Sequence, residues 1–146
     1  MTRSEVRVCS FDELDAYTAY RLWQLRETVF VVEQSCPYPE LDGRDLEPTA
    51  RHLWVEHEGA PIAYLRILED SGVPRIGRVL VARPWRGKGL AEVLMRSALE
   101  QVGPRPSVLD AQSYLASWYV RFGYAQTGPE FLDDGVAHLP MRREAR

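Results

Sequence analysis

This chain predicts an α/β fold built on a mixed, mostly antiparallel sheet, and three observations carry that prediction. Two β-prone runs, residues 52–58 and 62–68, flank the turn residues Glu58-Gly59-Ala60-Pro61 and read as a hairpin. A third run, residues 75–82, feeds the stretch Arg86-Gly87-Lys88-Gly89-Leu90-Ala91, which opens an amphipathic helix. Residues 107–111 then read as a further strand. A strand reached through a helical crossover lies parallel to its predecessor.

The remaining elements follow in order. Residues 6–9 read as a first strand, and Ser10 with Glu13 has the capping-box spacing that predicts a helix start. Between residues 17 and 33, Tyr20, Leu22, Trp23, Leu25, Val29 and Phe30 recur at helical intervals. Residues 35–51, rich in Pro, Gly and Asp, form the longest irregular stretch; a loop of this length is more often functional than idle. Asp70-Ser71-Gly72 turns the chain into the strand at 75–82. In the next helix Leu90, Val93, Leu94, Ala98 and Gln101 share one face, whose apolar members mark the buried stripe. Gly103-Pro104 stops that helix. Residues 114–122 make another, closed by Gly123 in the left-handed conformation. Residues 124–126 and 137–142 finish the sheet. No repeat or linker divides residues 1–146, which read as one domain.

A chain of 146 residues buries roughly two thirds of its unfolded surface, enough for a stable core. Its net charge of −3 argues against a nucleic-acid partner, which calls for a basic face. The longest apolar run, residues 29–32, is far too short to cross a bilayer, and the N-terminus has no signal-peptide core. Cys9 and Cys36 make no disulfide framework, and neither cysteines nor histidines have zinc-site spacing. The expectation is a cytoplasmic protein with no membrane partner and no metal.

A glycine-rich turn between a strand and a helix is a place for a phosphate. Its free N–H groups and the positive end of the helix dipole face the same anion. Lys88, the only lysine in the chain, stands in it. A nucleotide-triphosphate loop is excluded, because Lys88 is followed by Gly89 and not by the hydroxyl that magnesium needs. A dinucleotide fingerprint fails at its third glycine, which here is Glu92. The third pattern, Arg/Gln-x-x-Gly-x-Gly/Ala, fits in full through Arg86, Gly89 and Ala91.

That pattern resembles the acyl-CoA pyrophosphate loop of the GCN5-related N-acetyltransferase (GNAT) superfamily. Tyr119-Val120-Arg121-Phe122-Gly123-Tyr124 resembles its second signature. Phe30-Val31-Val32-Glu33-Gln34, Cys36-Pro37-Tyr38, Asp42-Gly43-Arg44-Asp45, Gly77-Arg78-Val79, Ala111-Gln112 and Asp134-Gly135-Val136-Ala137-His138 sharpen it to the ElaA-like branch. The resemblance spans about residues 22–142. It implies the acyl-CoA N-acyltransferase fold, in which two central parallel strands splay apart, flanked by helices, and acyl-CoA enters the gap.

The activity it implies is acetyl transfer from acetyl-CoA to a primary amine, directly, in a ternary complex. The diphosphate goes to the N–H groups of Arg86, Gly87, Lys88, Gly89, Leu90 and Ala91, with Arg86 and Arg83 adding charge. By the same resemblance the pantetheine arm pairs with Val79, Leu80 and Val81, and a main-chain N–H near Leu80 or Val81 serves as oxyanion donor. Gln112 stands where many members carry Asn and contacts the pantetheine. Tyr119 is the candidate general acid, since a phenol of pKa ~10 stays protonated while a thiolate of conjugate pKa ~8.5 departs; the alternative is an ordinary packed aromatic.

For the base that receives the ammonium proton, Glu33 leads, followed by His138 and His52. The acidic residues Glu40, Asp42, Asp45 and Glu47 either attract a cationic acceptor or form a solvated loop held by Asx-type bonds. Cys36 reads as a small packed residue. A homodimer is an open alternative to a monomer. The rival to an enzyme is a non-catalytic acyl-CoA sensor acting through a protein partner, which needs the same loop but no proton donor.

Overall fold

The structure, a computed structural model, describes residues 5–146. One eight-stranded sheet runs through it. Its strands are β1 (Val6–Cys9), β2 (Arg51–His57), β3 (Ala60–Asp70), β4 (Val73–Val81), β5 (Ser107–Gln112), β6 (Ala125–Gln126), β7 (Phe131–Asp133) and β8 (Val136–Arg143). Their spatial order is β1-β2-β3-β4-β5-β8-β6, with β7 also on β8. Every paired neighbour is antiparallel except β4 and β5, as the crossover rule requires. That parallel pair meets at a single register position, Arg75 opposite Val108, and beyond it the strands part.

Period-two alternation sends the strand side chains to two separate cores. On one face Leu53, Leu65, Ile67, Ile76 and Leu109 pack beneath α2 (Leu90–Val102), through Leu90, Leu94, Met95, Ala98 and Val102. On the other, Trp54, Tyr64 and Leu80 meet Leu22 of α1 (Ala16–Arg26) and Val29 just beyond it.

Several elements differ from expectation. The Ser10–Glu13 bonds form, with Ser10 N–H donating to Glu13 Oε1 at 2.8 Å, but they close only a 3₁₀ turn at Phe11–Glu13. α1 starts at Ala16 behind Asp15, whose carboxylate accepts from Thr18 N–H at 2.7 Å. The single helix expected to Glu33 is α-helical only to Arg26; Glu27–Glu33 is a π-helix. That wider winding resets the helical face, so Val29 is buried and Val32 exposed. On α2 the stripe is completed by Met95 and Val102, while Gln101 is exposed and Val93 half-buried. The helix expected at 114–122 is a 3₁₀ turn, Ser113–Leu115, followed by the short α3 (Ala116–Val120). Gly123 has the expected positive φ, +94°. β7 was not anticipated: its three residues are all exposed, so no burial pattern marks them.

β4 carries a bulge. Tyr64 faces Leu80 but Arg66 faces Gly77, which leaves Arg78 and Val79 together opposite Leu65. Arg78 sits there at φ +55°, a conformation uncommon outside glycine. Its guanidinium is held by Glu40, Nε donating to Oε2 at 2.8 Å.

Candidate active site

Where β4 and β5 part, a cleft of about 570 Å³ opens. It is lined by β4 from Arg75 to Val81, by Leu109, Asp110 and Gln112 of β5, and by Tyr114, Leu115 and Tyr119. The end of the π-helix contributes Glu33, the following loop Cys36 and Tyr38, and the β7–β8 hairpin Asp133, Asp134 and His138. Of the residues singled out from sequence, Val79, Leu80, Val81, Arg86, Gln112, Tyr119 and Glu33 therefore share one cavity. Gly87, Lys88, Gly89, Leu90 and Ala91 continue from Arg86 outside its lining.

The glycine turn has the form an anion needs. Gly87 and Gly89 both sit at φ +79°, with nothing within 4 Å of where a Cβ would stand. Gly89 is the N-cap of α2 and no side chain caps that end, so its first N–H groups face outward. The residues present fit a diphosphate. The bulge fits an extended ligand arm: Arg78 and Val79 lack a one-to-one partner on β3, and beyond Arg75 the β5 side of β4 has no strand partner among the described residues.

Tyr119 is buried on α3, edge-on to Trp118 at 5.0 Å and to Tyr124 at 6.4 Å. Burial raises its phenol pKa well above the ordinary value, so the hydroxyl keeps its proton at neutral pH. Tyr124, in turn, is fixed through a 2.8 Å bond between its hydroxyl and that of Ser107. Glu33 accepts from Arg86 Nη2 at 2.6 Å and lies 3.8 Å from Arg83 Nε. His138 stacks on Phe131, and its Nδ1 lies 2.8 Å from the Val136 carbonyl, leaving Nε2 unengaged by this bond.

His52 does not join this group. It is fully buried outside the cleft lining, with Nε2 3.2 Å from the Asp45 carbonyl and Nδ1 2.6 Å from the Tyr64 hydroxyl. A carbonyl only accepts, so Nε2 carries the proton and Nδ1 accepts from Tyr64. Burial lowers its pKa and keeps the ring neutral. Nor is the acidic loop an open lure for cations. Glu40 pairs with Arg26 and Arg78, Asp42 with Arg66, Asp45 with Arg26 and Arg66, and Glu47 with Arg44. The Asx-type bond is present, Arg44 N–H donating to Asp42 Oδ1 at 3.0 Å. These carboxylates hold the loop against the sheet. Cys36, expected as a small packed residue, is half-buried in the cleft lining, its thiol 3.4 Å from the Asp134 carbonyl.

Sequence reading missed Asp133, Asp134, Tyr38 and Arg78 as members of the site. Among the described residues, Asp133 and Asp134 are the cleft carboxylates without an ion-pair partner; Glu33 and Asp110 both have one. Proximity to the cleft comes from β8 pairing with β5, Gln112 opposite His138, a long-range contact that no local spacing reports.

The family model described as an acetyltransferase (GNAT) domain matches residues 17–145. The chain belongs to the GNAT family. Within it, the chain is ElaA-like: it is 38% identical to protein ElaA of Escherichia coli, over 90% of this chain and 91% of that protein. It is also 47% identical to UPF0039 protein Rv2851c of Mycobacterium tuberculosis, over 98% of this chain and 94% of that protein. Among solved structures it is similar to an acyl-CoA N-acyltransferase from Pseudomonas aeruginosa, TM-score 0.93 at 37% identity, covering 97% of this chain and 99% of that one. The E. coli ElaA crystal structure superposes with TM-score 0.91 at 36% identity, covering 97% and 100%. The fold is thus the acyl-CoA N-acyltransferase fold, and a GNAT protein is an acyltransferase with acyl-CoA as co-substrate.

Proposed function

We propose that this GNAT protein is an N-acetyltransferase that moves the acetyl group of acetyl-CoA to a primary amine by direct transfer. The observation that carries the reading is the single-position contact between β4 and β5. It leaves a gap running from the glycine turn to the buried phenol of Tyr119. The family model's description as an acetyltransferase supports the choice of an acetyl group.

The diphosphate binds the N–H groups of Arg86, Gly87, Lys88, Gly89, Leu90 and Ala91, and the pantetheine extends β4 as an added strand along Val79, Leu80 and Val81, with Gln112 opposite. The amine nitrogen attacks the thioester carbonyl, and the oxygen gains negative charge facing a β4 N–H. The C–S bond then breaks and Tyr119 delivers its proton to the departing thiolate. The buried phenolate this leaves is costly, which favours rapid reprotonation. Glu33 takes the proton the ammonium must lose before attack; His138 is the second candidate, and His52 is withdrawn by its burial. Asp133 and Asp134, without an ion-pair partner among the described residues, place negative charge in the cleft lining, which favours a cationic guest. Two free cysteines, Cys9 and Cys36, suit a reducing cytoplasm.

The test is release of free CoA thiol from acetyl-CoA in the presence of a panel of primary amines, diamines and peptide N-termini. Turnover with at least one amine is the expected result. Tight CoA binding without thiol release from any amine would favour the sensor instead.

A further inference from the structure

Arg86 immediately precedes the glycine turn, yet its guanidinium is engaged elsewhere. Nη2 donates to Glu33 Oε2 at 2.6 Å and Nε to the Val81 carbonyl at 2.9 Å. Arg83 sits on the other Glu33 oxygen at 3.8 Å. The pair ties the end of the π-helix to the β4–α2 connection, between residues 53 positions apart in the chain. Both partners line the cleft, and neither is sealed from water: the side chains are 17% and 44% exposed.

The two residues have opposite tasks in the reading above. Arg86 is next to the diphosphate and Glu33 receives the ammonium proton. One guanidinium edge cannot serve a carboxylate and a phosphate at full strength together, and a diphosphate carries more charge than a carboxylate. We infer that the Glu33–Arg86 pair is a charge latch between the two halves of the cleft. It is closed in the free protein and exchanged when the diphosphate takes Arg86. Resting on the assignment of the turn to the diphosphate, the latch sets an order. Acyl-CoA must break the pair to bind, and the exchange releases Glu33 Oε2 toward the acceptor ammonium. Glu33 is thus a positioning residue for the co-substrate site as well as the candidate base.

Titration calorimetry of CoA into the full chain tests this without any acceptor amine, using wild type, Glu33→Gln, Arg86→Gln and the double variant. Removing Glu33 frees Arg86 in advance, so Glu33→Gln should tighten CoA binding roughly three- to tenfold. In the Arg86→Gln background the same change should alter affinity less than about twofold, because no pair remains to break. An equal gain in both backgrounds would reduce the effect to through-space repulsion and overturn the latch. No gain, or a loss, overturns it too. Glu33→Ala is the second variant should Gln at this position disturb the helix end, with the same expectation. Wild type that binds no CoA removes the diphosphate assignment, a failure distinct from a wild type that binds while the cycle stays additive.

Discussion

Arg26 Nη1 lies 2.7 Å from Asp45 Oδ1, with the arginine fully buried and the aspartate nearly so. This contact pins the irregular stretch to α1. With Glu40, Asp42, Arg66 and Arg78 it makes a cluster of three cations and three carboxylates under the cleft. Buried charges are tolerated only when paired and hydrogen-bonded, so removing one member leaves its partners buried without compensation.

Arg26→Met should therefore destabilise the protein by about 3 kcal/mol, the lower end for a broken buried pair, because Arg66 and Arg78 still face the orphaned carboxylates. Urea unfolding of wild type and variant measures it. A change below about 1 kcal/mol would mean that the cluster contributes little.

Stability should fall with acidification in two stages. The neutral, buried His52 has a lowered pKa, so below about pH 6.5 the unfolded chain binds a proton that the folded chain refuses. Asp42 and Asp45 also have folded pKa values below the ordinary range: burial alone would raise them, but Arg66 outweighs it at Asp42, and Arg26 with Arg66 at Asp45. Their contribution is complete above about pH 4 and is lost as pH drops through the folded values. Thermal melts from pH 8 to pH 3 should show both stages, and His52→Gln should remove the first.

Tyr119→Phe should lower turnover about 10²-fold or more while leaving CoA affinity nearly unchanged. Thiol release and calorimetry on the same preparation separate the two. Equal turnover at all pH values would take Tyr119 out of the chemistry and leave it as packing.

Gly89→Glu should abolish CoA binding through charge conflict with the phosphates. Gly89→Ala controls for backbone strain at φ +79°, roughly 1 kcal/mol, and should leave part of the affinity. Unaltered binding by the glutamate variant would refute the turn as the diphosphate site.

The parts legible in sequence are those written over a few residues. Glycines at 87 and 89 announce a left-handed turn, the Leu90, Leu94 and Ala98 spacing announces a packed helix, and Gly103 announces its stop. Failures came where neighbours distant in the chain decide. One failure is local: Ser10 and Glu13 form their bonds but carry only a 3₁₀ turn, and α1 starts behind the Asp15 cap. Local spacing left open whether the acidic loop lures cations or is held by its own bonds, because its partners Arg26, Arg66 and Arg78 lie on other elements.

From residue order alone came the crossover and the left-handed glycine turn, since each depends on local spacing and on the handedness of L-residues, while the family came from the resemblance of its motifs. Tertiary structure alone decided which charges are available. It sealed His52, Glu40 and Asp45 into the fold, set Glu33 against Arg86, and left Asp133 and Asp134 in the cleft lining with no ion-pair partner among the described residues. A charge acts through whatever stands within a few ångströms of it, and the folded chain brings together residues that lie tens of positions apart.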